Sequence, residues 1–255
     1  MEKLELDDQT HLLVLTGAGA SAESGIPTFR GLTADEDLSE SDRERLSTLH
    51  GLLDEPARFW RIFSGRRAKL LEARPNAGHR ALAAIEEQLG ERFLLATQNV
   101  DGLHQLAGSK RVLELHGNLL RTRCTRCRRP AFADIRQYER PPVCELCEAE
   151  GRANDPHDVP WLRPDVVLFG EHLAPKTLER IEKFVERAAR ERLVYLAVGT
   201  SGLVYPAAEL VQQTHRAGAE TWLVNLEPAA NTESFDHFIQ GKSGAILPKL
   251  LGVSA

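Results

Sequence analysis

Cysteine is absent from this 255-residue sequence except between Cys124 and Cys147, where all four of its cysteines fall. No disulfide framework staples the rest of the chain, which must rely on a buried core, and a reducing compartment fits. Missing too are runs of about 18 apolar residues, the length needed to span a bilayer. The N-terminal MEKLELDDQT is acidic where a targeting peptide would be basic. A soluble, cytoplasmic protein without a membrane partner is expected. Positive charge is in deficit: 32 Lys and Arg stand against 37 Asp and Glu, a formal net charge of −5. That balance lacks the basic footprint of nucleic-acid binding and argues against such a partner. Internal repeats and low-complexity tracts are likewise absent.

What is present suffices for a core, since 42% of residues are hydrophobic. Four short runs rich in Leu, Val and Ala read as buried strands: LLVLTG at 12–17, FLLATQN at 93–99, LVYLAVG at 193–199 and TWLVNLE at 221–227. Between them, PNAGHRALAAIEEQLG repeats apolar positions at helical spacing (Leu82, Ile85, Leu89) and closes on Gly90. LERIEKFVERAARER does the same through Leu178, Ile181, Val185 and Ala188. Strands alternating with helices predict an α/β fold, a Rossmann-like parallel sheet with helices on both faces and ligands at the carboxyl ends of the strands. Two regions break the alternation. Residues 33–45, TADEDLSESDRER, are mostly charged and predict a loop or solvated helix. Residues 124–147 read as a compact insert.

The first strand runs into GAGASAESGIPTFR. Gly17-Ala18-Gly19-Ala20-Ser21-Ala22 satisfies G-x-G-x-x-A, in which backbone N–H groups at a helix start cradle a nucleotide pyrophosphate. A tight strand-to-helix turn needing glycine only for positive φ would use the same residues. The second strand of a standard dinucleotide site, ending in an acid about twenty residues on, is replaced by TADEDL. The site is therefore a variant in which Ser24 to Arg30 folds back over the ligand, Phe29 supplying an aromatic face and Arg30 a cation.

TQNVDGLH places Gln98, Asn99 and Asp101 at a strand end, where amide and carboxylate groups suit ribose hydroxyls or, alternatively, an Asn/Asp-Gly turn. His116, in LELHGN, is the best general-base candidate among nine histidines, its chemistry being poised near neutral pH. Cys124 and Cys127 with Cys144 and Cys147 form CxxC-x16-CxxC, two knuckles whose four thiolates make a closed tetrahedral Zn²⁺ site. Two thioredoxin-like redox pairs are the other reading. A closed site leaves no position for an activating water, so the zinc is expected to be structural.

In this order, GAGASAESGIPTFR, TQNVDGLH, ELHGN, the CxxC pairs, LRPDVVLFGE, VGTSGLVYPAAEL and NLE resemble the sirtuins, the NAD-dependent protein lysine deacylases, and cover nearly the whole chain. The likeness extends to the desuccinylase-type class of bacteria and mitochondria. It implies a single catalytic domain over 1–255. A large Rossmann-like part would comprise about 1–31, 76–118 and 160–255, with a helical insert at about 32–75 and a zinc-binding insert at about 119–159.

The resemblance further implies that NAD is a consumed co-substrate. Gly17, Ala18, Gly19 and Ser21 would contact phosphates and ribose, and Pro27, Phe29 and Arg30 would close over the nicotinamide end. Gln98, Asn99 and Asp101 would hold the nicotinamide ribose and carboxamide, with Asn99 and Asp101 counted beside His116 in the catalytic set. Gly199, Thr200 and Ser201 would take phosphate and ribose, Asn225, Leu226 and Glu227 the adenosine ribose, and Ser243 the adenine through its backbone. The acyl-lysine oxygen would attack the ribose carbon as nicotinamide leaves. His116 would then deprotonate a ribose hydroxyl that attacks the resulting imidate, and water would release lysine and O-acyl-ADP-ribose. An acyl-lysine protein or peptide would lie as a strand between Val166–Glu171, which includes Phe169 and Gly170, and Gly202–Tyr205, which includes Val204.

Two departures from the family stand out. After Gly31 the usual small-residue turn and aromatic give way to LTADEDLSE. Where members that prefer acidic acyl groups carry Tyr-x-x-Arg, this chain has Phe63-Ser64-Gly65-Arg66, which predicts activity on both acetyl- and succinyl-lysine, with malonyl-lysine a further acidic substrate. Arg66 on a merely solvated helix face is the alternative. Rival functions are ADP-ribosyl transfer to protein, NAD hydrolysis, or a non-enzymatic NAD-binding module, the last opposed by His116, Asn99 and Asp101 occurring together.

Overall fold

The computed structural model describes residues 3–27, 39–152, 159–204 and 207–253. Its strands are β1 (Thr10–Thr16), β2 (Phe93–Thr97), β3 (Val112–Glu114), β4 (Gly117–Cys124), β5 (Phe132–Ala133), β6 (Leu162–Val166), β7 (Arg192–Val198), β8 (Glu220–Asn225) and β9 (His237–Gln240). The α-helices are α1 (Glu40–Leu46), α2 (Leu49–Asp54), α3 (Pro56–Glu72), α4 (Ala77–Leu89), α5 (Leu103–Leu106), α6 (Glu145–Ala149), α7 (Pro175–Ala188), α8 (Leu210–Arg216) and α9 (Ser243–Leu250). None is long and apolar enough to cross a membrane.

The main sheet has the order β3-β2-β1-β7-β8-β9, with every neighbouring pair parallel. All of β1 is buried, and its side chains alternate between two cores. Leu12 and Val14 pack with Leu82 and Ile85 of α4 and Leu247 of α9, whereas Leu13 and Leu15 pack with Ile181 and Phe184 of α7 and Val211 of α8. Burial on both faces explains the unbroken apolar run, each such leucine contributing about 1.5–3 kcal/mol. From β1 the chain first lays β2 and β3 to one side and later β7 to β9 to the other. The crevice outside the ends of β1 and β7 is thus the topological switch point, where sheets of this kind bind ligands.

Local chemistry sets the helix ends. Asn76 Oδ1 accepts from the N–H groups of Gly78 and His79, while His79 Nδ1 accepts from the Asn76 N–H at 3.3 Å, a reciprocal cap that starts α4. Helix α7 opens earlier than its apolar period suggests, at Pro175, whose missing N–H suits a first turn. It stops at Ala188 because Arg192 already enters β7 opposite Thr10. Strands β2 and β8 stop at Thr97 and Asn225, so Gln98, Asn99, Leu226 and Glu227 extend past the sheet. The charged segment is helical over Glu40–Leu46, and residues 31–38 lie outside the described part.

A second, antiparallel sheet of order β5-β4-β6 stands beside the first. Helix α3 covers it through a cluster that includes Phe59, Trp60 and Phe63 with Leu119, Val166 and Leu168.

Candidate active site

At the switch point three glycines interlock. Gly17 N–H donates to Val198 O and Gly19 N–H to Gly199 O, both at 2.9 Å. A Cβ on Gly17 would stand 2.7 Å from Gly199 O, one on Gly19 2.7 Å from Gly199 Cα, and one on Gly199 2.2 Å from Ala20 N. Gly17 and Gly19 are absent from the positive-φ residues, so close approach, and not left-handed backbone, makes them glycine; Gly199, at φ 63, needs both. The turn continues as a 3₁₀ helix, Ala18–Ser24, in place of the long α-helix of a standard dinucleotide site. Backbone pressed against backbone in this way fixes the turn at the ends of β1 and β7. Pro27 closes the described segment half-buried, and Phe29 and Arg30 lie outside the described residues.

Beneath the turn, Asn99 Nδ2 donates to Gly17 O (3.1 Å) and to Ser21 Oγ (3.0 Å), and Ser21 Oγ donates to Asp101 Oδ2 (2.7 Å). Asp101 Oδ1 accepts from the Leu103 N–H at 2.9 Å, and burial raises this carboxyl above its ordinary pKa. His79 completes the cluster. With its Nδ1 accepting from Asn76, its Nε2 carries the proton and reaches Ser21 Oγ at 3.4 Å. Burial pushes His79 down to about 4, so the ring is neutral. A second layer repeats the logic: Thr16 Oγ1 donates to Thr97 Oγ1 (2.8 Å) and contacts His104 Nε2 (2.9 Å), and burial holds His104 well below its usual pKa. The residues of TQNVDG therefore support the phosphate turn, well beyond forming a turn of their own.

His116 sits between β3 and β4. Its Nδ1 lies 2.9 Å from Gln98 O, a carbonyl that can only accept, so Nδ1 bears the hydrogen and Nε2 keeps a lone pair. Burial lowers its pKa, which keeps the ring neutral and basic at neutral pH. The adjacent Gly117, at φ 79, is obligatory because a Cβ there would meet Asp165 O at 2.1 Å.

At the ends of β7 and β8, Asn225 Nδ2 donates to Thr200 O (2.9 Å), Thr200 Oγ1 is 3.5 Å from Gln98 Oε1, and Ser201 O accepts from the Ala230 N–H at 3.0 Å. Leu226 and Glu227 are exposed. Ser243 is buried with its hydroxyl turned 3.4 Å from Ala20 O, while Glu23 Oε2 accepts from the Gly244 N–H at 2.7 Å, tying α9 to the turn.

Beyond His116, β6 leads into the segment expected to receive a peptide. The Val166 carbonyl is already taken by Arg163 Nη2 (2.7 Å), and its side chain lies in the α3 cluster. Arg163 also forks onto Glu171 at 2.6 and 2.9 Å, and Glu171 Oε2 accepts from the Leu168 N–H at 2.8 Å. Val167 N–H donates to His116 O and Phe169 N–H to Ser47 O, each at 2.9 Å, with Gly170 turning at φ 85. Those N–H groups are engaged within the chain, as are the Val166 and Leu168 carbonyls, the latter accepting from the Glu171 N–H at 3.0 Å. Phe169 and Val204 expose 50% and 44% of their surface, while Tyr205 lies outside the described residues.

Phe63 is buried in the cluster that holds Val166 and Leu168, with Ile26 and Val100 packed against it. The guanidinium carbon of Arg66, a half-buried residue, stands 5.3 Å from the centre of the Phe63 ring, and its Nε and Nη2 are buried.

The four cysteine sulfurs lie within 4.8 Å of one another, with Cys124–Cys147 and Cys127–Cys144 both at 3.8 Å. A tetrahedron with Zn–S bonds of about 2.3 Å has edges of about 3.8 Å, so the thiols fit this ion. Cys124 Sγ also accepts from the N–H groups of Arg126 (3.3 Å) and Cys127 (3.4 Å), the bonds a thiolate favours.

Sequence reasoning missed His79, Asn76, Arg67 and the Arg163–Glu171 fork. A cap signal at Asn76 three residues before His79 was available; Arg67 and the fork depend on tertiary contacts with no local signature.

The model of the Sir2 family matches residues 17–206. NAD-dependent protein deacylase 2 of Pyrobaculum aerophilum is 43% identical over 247 residues, 96% of this chain and 92% of the relative. The mitochondrial NAD-dependent protein deacylase sirtuin-5 of Canis lupus familiaris is 36% identical, over 94% of this chain and 81% of that one. A solved Sir2 homologue in complex with NAD superimposes with a TM-score of 0.79 at 34% identity, covering 98% of this chain and 94% of the other. A family match over most of the chain, relatives at 36–43% identity covered over most of their length and a shared fold make this chain a member of the Sir2 family.

Proposed function

We infer that this chain is an NAD-dependent protein lysine deacylase that acts on acetyl-lysine and on acidic acyl-lysines, in a reducing, cytoplasmic compartment. The observation that carries the reading is His116: a half-buried neutral imidazole, fixed through Nδ1 to Gln98 O, at the mouth of the glycine-walled crevice. The crevice fits NAD by its chemistry. The glycine turn lies at the switch point, where a parallel sheet of this kind takes a nucleotide, and Thr200 and Asn225 stand beside it. Bound there, NAD supplies an electrophilic ribose carbon and the hydroxyl that finally carries the acyl group.

The chain's own residues do the rest. Asn99, Ser21 and Asp101 hold the floor of the crevice rigid, so that its dipoles are already oriented when charge develops. His116 Nε2 takes a proton from a ribose hydroxyl, and the Gln98 carbonyl stabilises the imidazolium by accepting from Nδ1. An extended substrate segment is received between Val166–Glu171 and Gly202–Val204 by main-chain bonds that tolerate many sequences. Excluding bulk water protects the activated ribose from hydrolysis.

The deciding experiment is mass analysis of acetyl- and succinyl-lysine peptides incubated with and without NAD. NAD-dependent appearance of O-acyl-ADP-ribose together with unmodified lysine is expected. Loss of NAD without need of an acyl peptide, or ADP-ribose attached to protein, would mark a hydrolase or a transferase instead.

A further inference from the structure

Helix α3 makes two kinds of contact: apolar packing, in which Trp60 shares, and hydrogen bonds from Trp60, Ser64 and Arg67. Phe59, Phe63 and Leu70 enter the cluster containing Val166 and Leu168, and Arg66 leans over Phe63. Trp60, Ser64 and Arg67, spaced four and three residues apart, meet the small sheet and the segment between the cysteine pairs. Trp60 Nε1 donates to Leu162 O at 3.0 Å, and its ring meets that of Tyr138 edge-on at 4.9 Å. Ser64 Oγ exchanges two bonds with the Tyr138 backbone, accepting from its N–H at 2.7 Å and donating to its carbonyl at 2.9 Å. Arg67 is wholly buried. Its Nε donates to Leu119 O (3.0 Å), Nη1 to Arg136 O (2.6 Å) and Nη2 to Thr122 Oγ1 (3.2 Å), with the Asp134 carboxylate 3.8 Å away.

These contacts grip one loop. Asp134, Arg136 and Tyr138 lie between Cys127 and Cys144, so whatever gathers the four thiols also anchors both ends of the segment that holds α3. Apolar packing alone lets a helix slide or rotate at small cost, whereas a planar guanidinium with its donors engaged fixes rotation and register.

We propose that Arg67 and Ser64 are positioning residues for acyl recognition: they lock α3 to the loop of the zinc module, so that the placement of Phe63 and Arg66, and the discrimination among acyl groups, depends on an intact metal centre. The proposal rests on the proposed function and on Phe63 and Arg66 lying against the acyl group, as the resemblance to members that prefer acidic acyl groups implies. A shift of about 1 Å in such a pair is enough to cost on the order of 10²-fold for the acidic substrate.

Ser64→Ala, Arg67→Met and Arg67→Lys are to be compared with wild type and with Arg66→Met. Four measurements serve: zinc content, NAD affinity by calorimetry, kcat/KM on acetyl- and succinyl-lysine peptides, and amide hydrogen exchange of α3. Ser64→Ala and Arg67→Met are expected to keep zinc and NAD affinity, to raise exchange across α3 while β1 and β7 stay protected, and to lower the succinyl-to-acetyl ratio about tenfold or more. Arg67→Lys should recover part of the ratio. Chelating zinc from the wild type should raise α3 exchange in the same way. Ser64→Ala leaves no buried charge behind, so it carries the test if Arg67→Met does not fold. An unchanged ratio and unchanged α3 exchange in folded variants, beside a ratio that Arg66→Met does shift, overturns the proposal alone. A ratio that Arg66→Met leaves unmoved overturns the acyl assignment itself, and the proposal with it.

Discussion

Ser21 Oγ donates to Asp101 Oδ2 across 2.7 Å while it receives Asn99 Nδ2 at 3.0 Å, with His79 Nε2 at 3.4 Å. One hydroxyl proton and two lone pairs are thus all engaged, and this oxygen joins the phosphate turn, the β2 end and the α4 cap. Ser21→Ala leaves a buried carboxyl and a buried amide short of a partner, at a cost of about 1–3 kcal/mol. Thermal unfolding with and without NAD is the check: a lower midpoint in both conditions and weaker stabilisation by NAD are expected, and an unchanged midpoint would contradict the network.

His79 also makes stability depend on pH. Its folded pKa of about 4 lies below the ordinary 6.5, so between those values the unfolded chain binds the extra proton and stability rises with pH. The penalty is absent above about 6.5 and complete below about 4, amounting to on the order of 3 kcal/mol. His104 acts in the same sense, and Asp101, whose pKa burial raises, in the opposite one. The informative quantity is therefore the difference between wild type and His79→Gln. The variant should lose less stability on acidification from pH 7 to 5, and parallel curves would remove His79 from the effect.

His116→Ala is expected to lower deacylation by about 10²- to 10⁴-fold while the fold and NAD binding persist. Burial depresses the pKa of His116, so the acid limb of kcat/KM in the wild type should fall below pH 6.5, activity being lost as the base is protonated. An acid limb above that value, or a variant with wild-type turnover, would take the proton transfer away from this residue.

Phe63→Tyr adds a hydroxyl beside Arg66 and should raise the succinyl rate, since a bond to a charged group is worth about 1.5–3 kcal/mol. Arg66→Met should lower the succinyl rate far more than the acetyl rate. Equal losses on both peptides would describe a plain deacetylase.

The parts of the fold that were legible in the sequence are those where one physical demand dominates. Leu12 to Leu15 read as a strand because both faces of β1 are buried, and the four cysteines read as a metal site because two CxxC pairs together supply the four thiolates of a tetrahedral ion. Gly17 and Gly19 were legible as glycines for a partly different reason, since the demand comes from Gly199, some 180 residues away in the chain, and not from their own φ angles. Arg67 was not legible, because its burial is created by Leu119, Thr122 and Arg136, which the helical period of α3 does not report.

Strand β4 begins at Gly117, next to His116, and ends at Cys124, so one stretch of chain links the candidate base to a thiol of the four-cysteine cluster. Its pairing with β6 is interrupted between Asn118 and Thr122, and at about 3.4 Å per residue it reaches at most about 25 Å. Its length is therefore a shared dimension of both centres. Deleting one residue from it would turn every following side chain to the opposite face and withdraw Cys124 from its three partners, even though no ligand and no residue of the crevice had been altered.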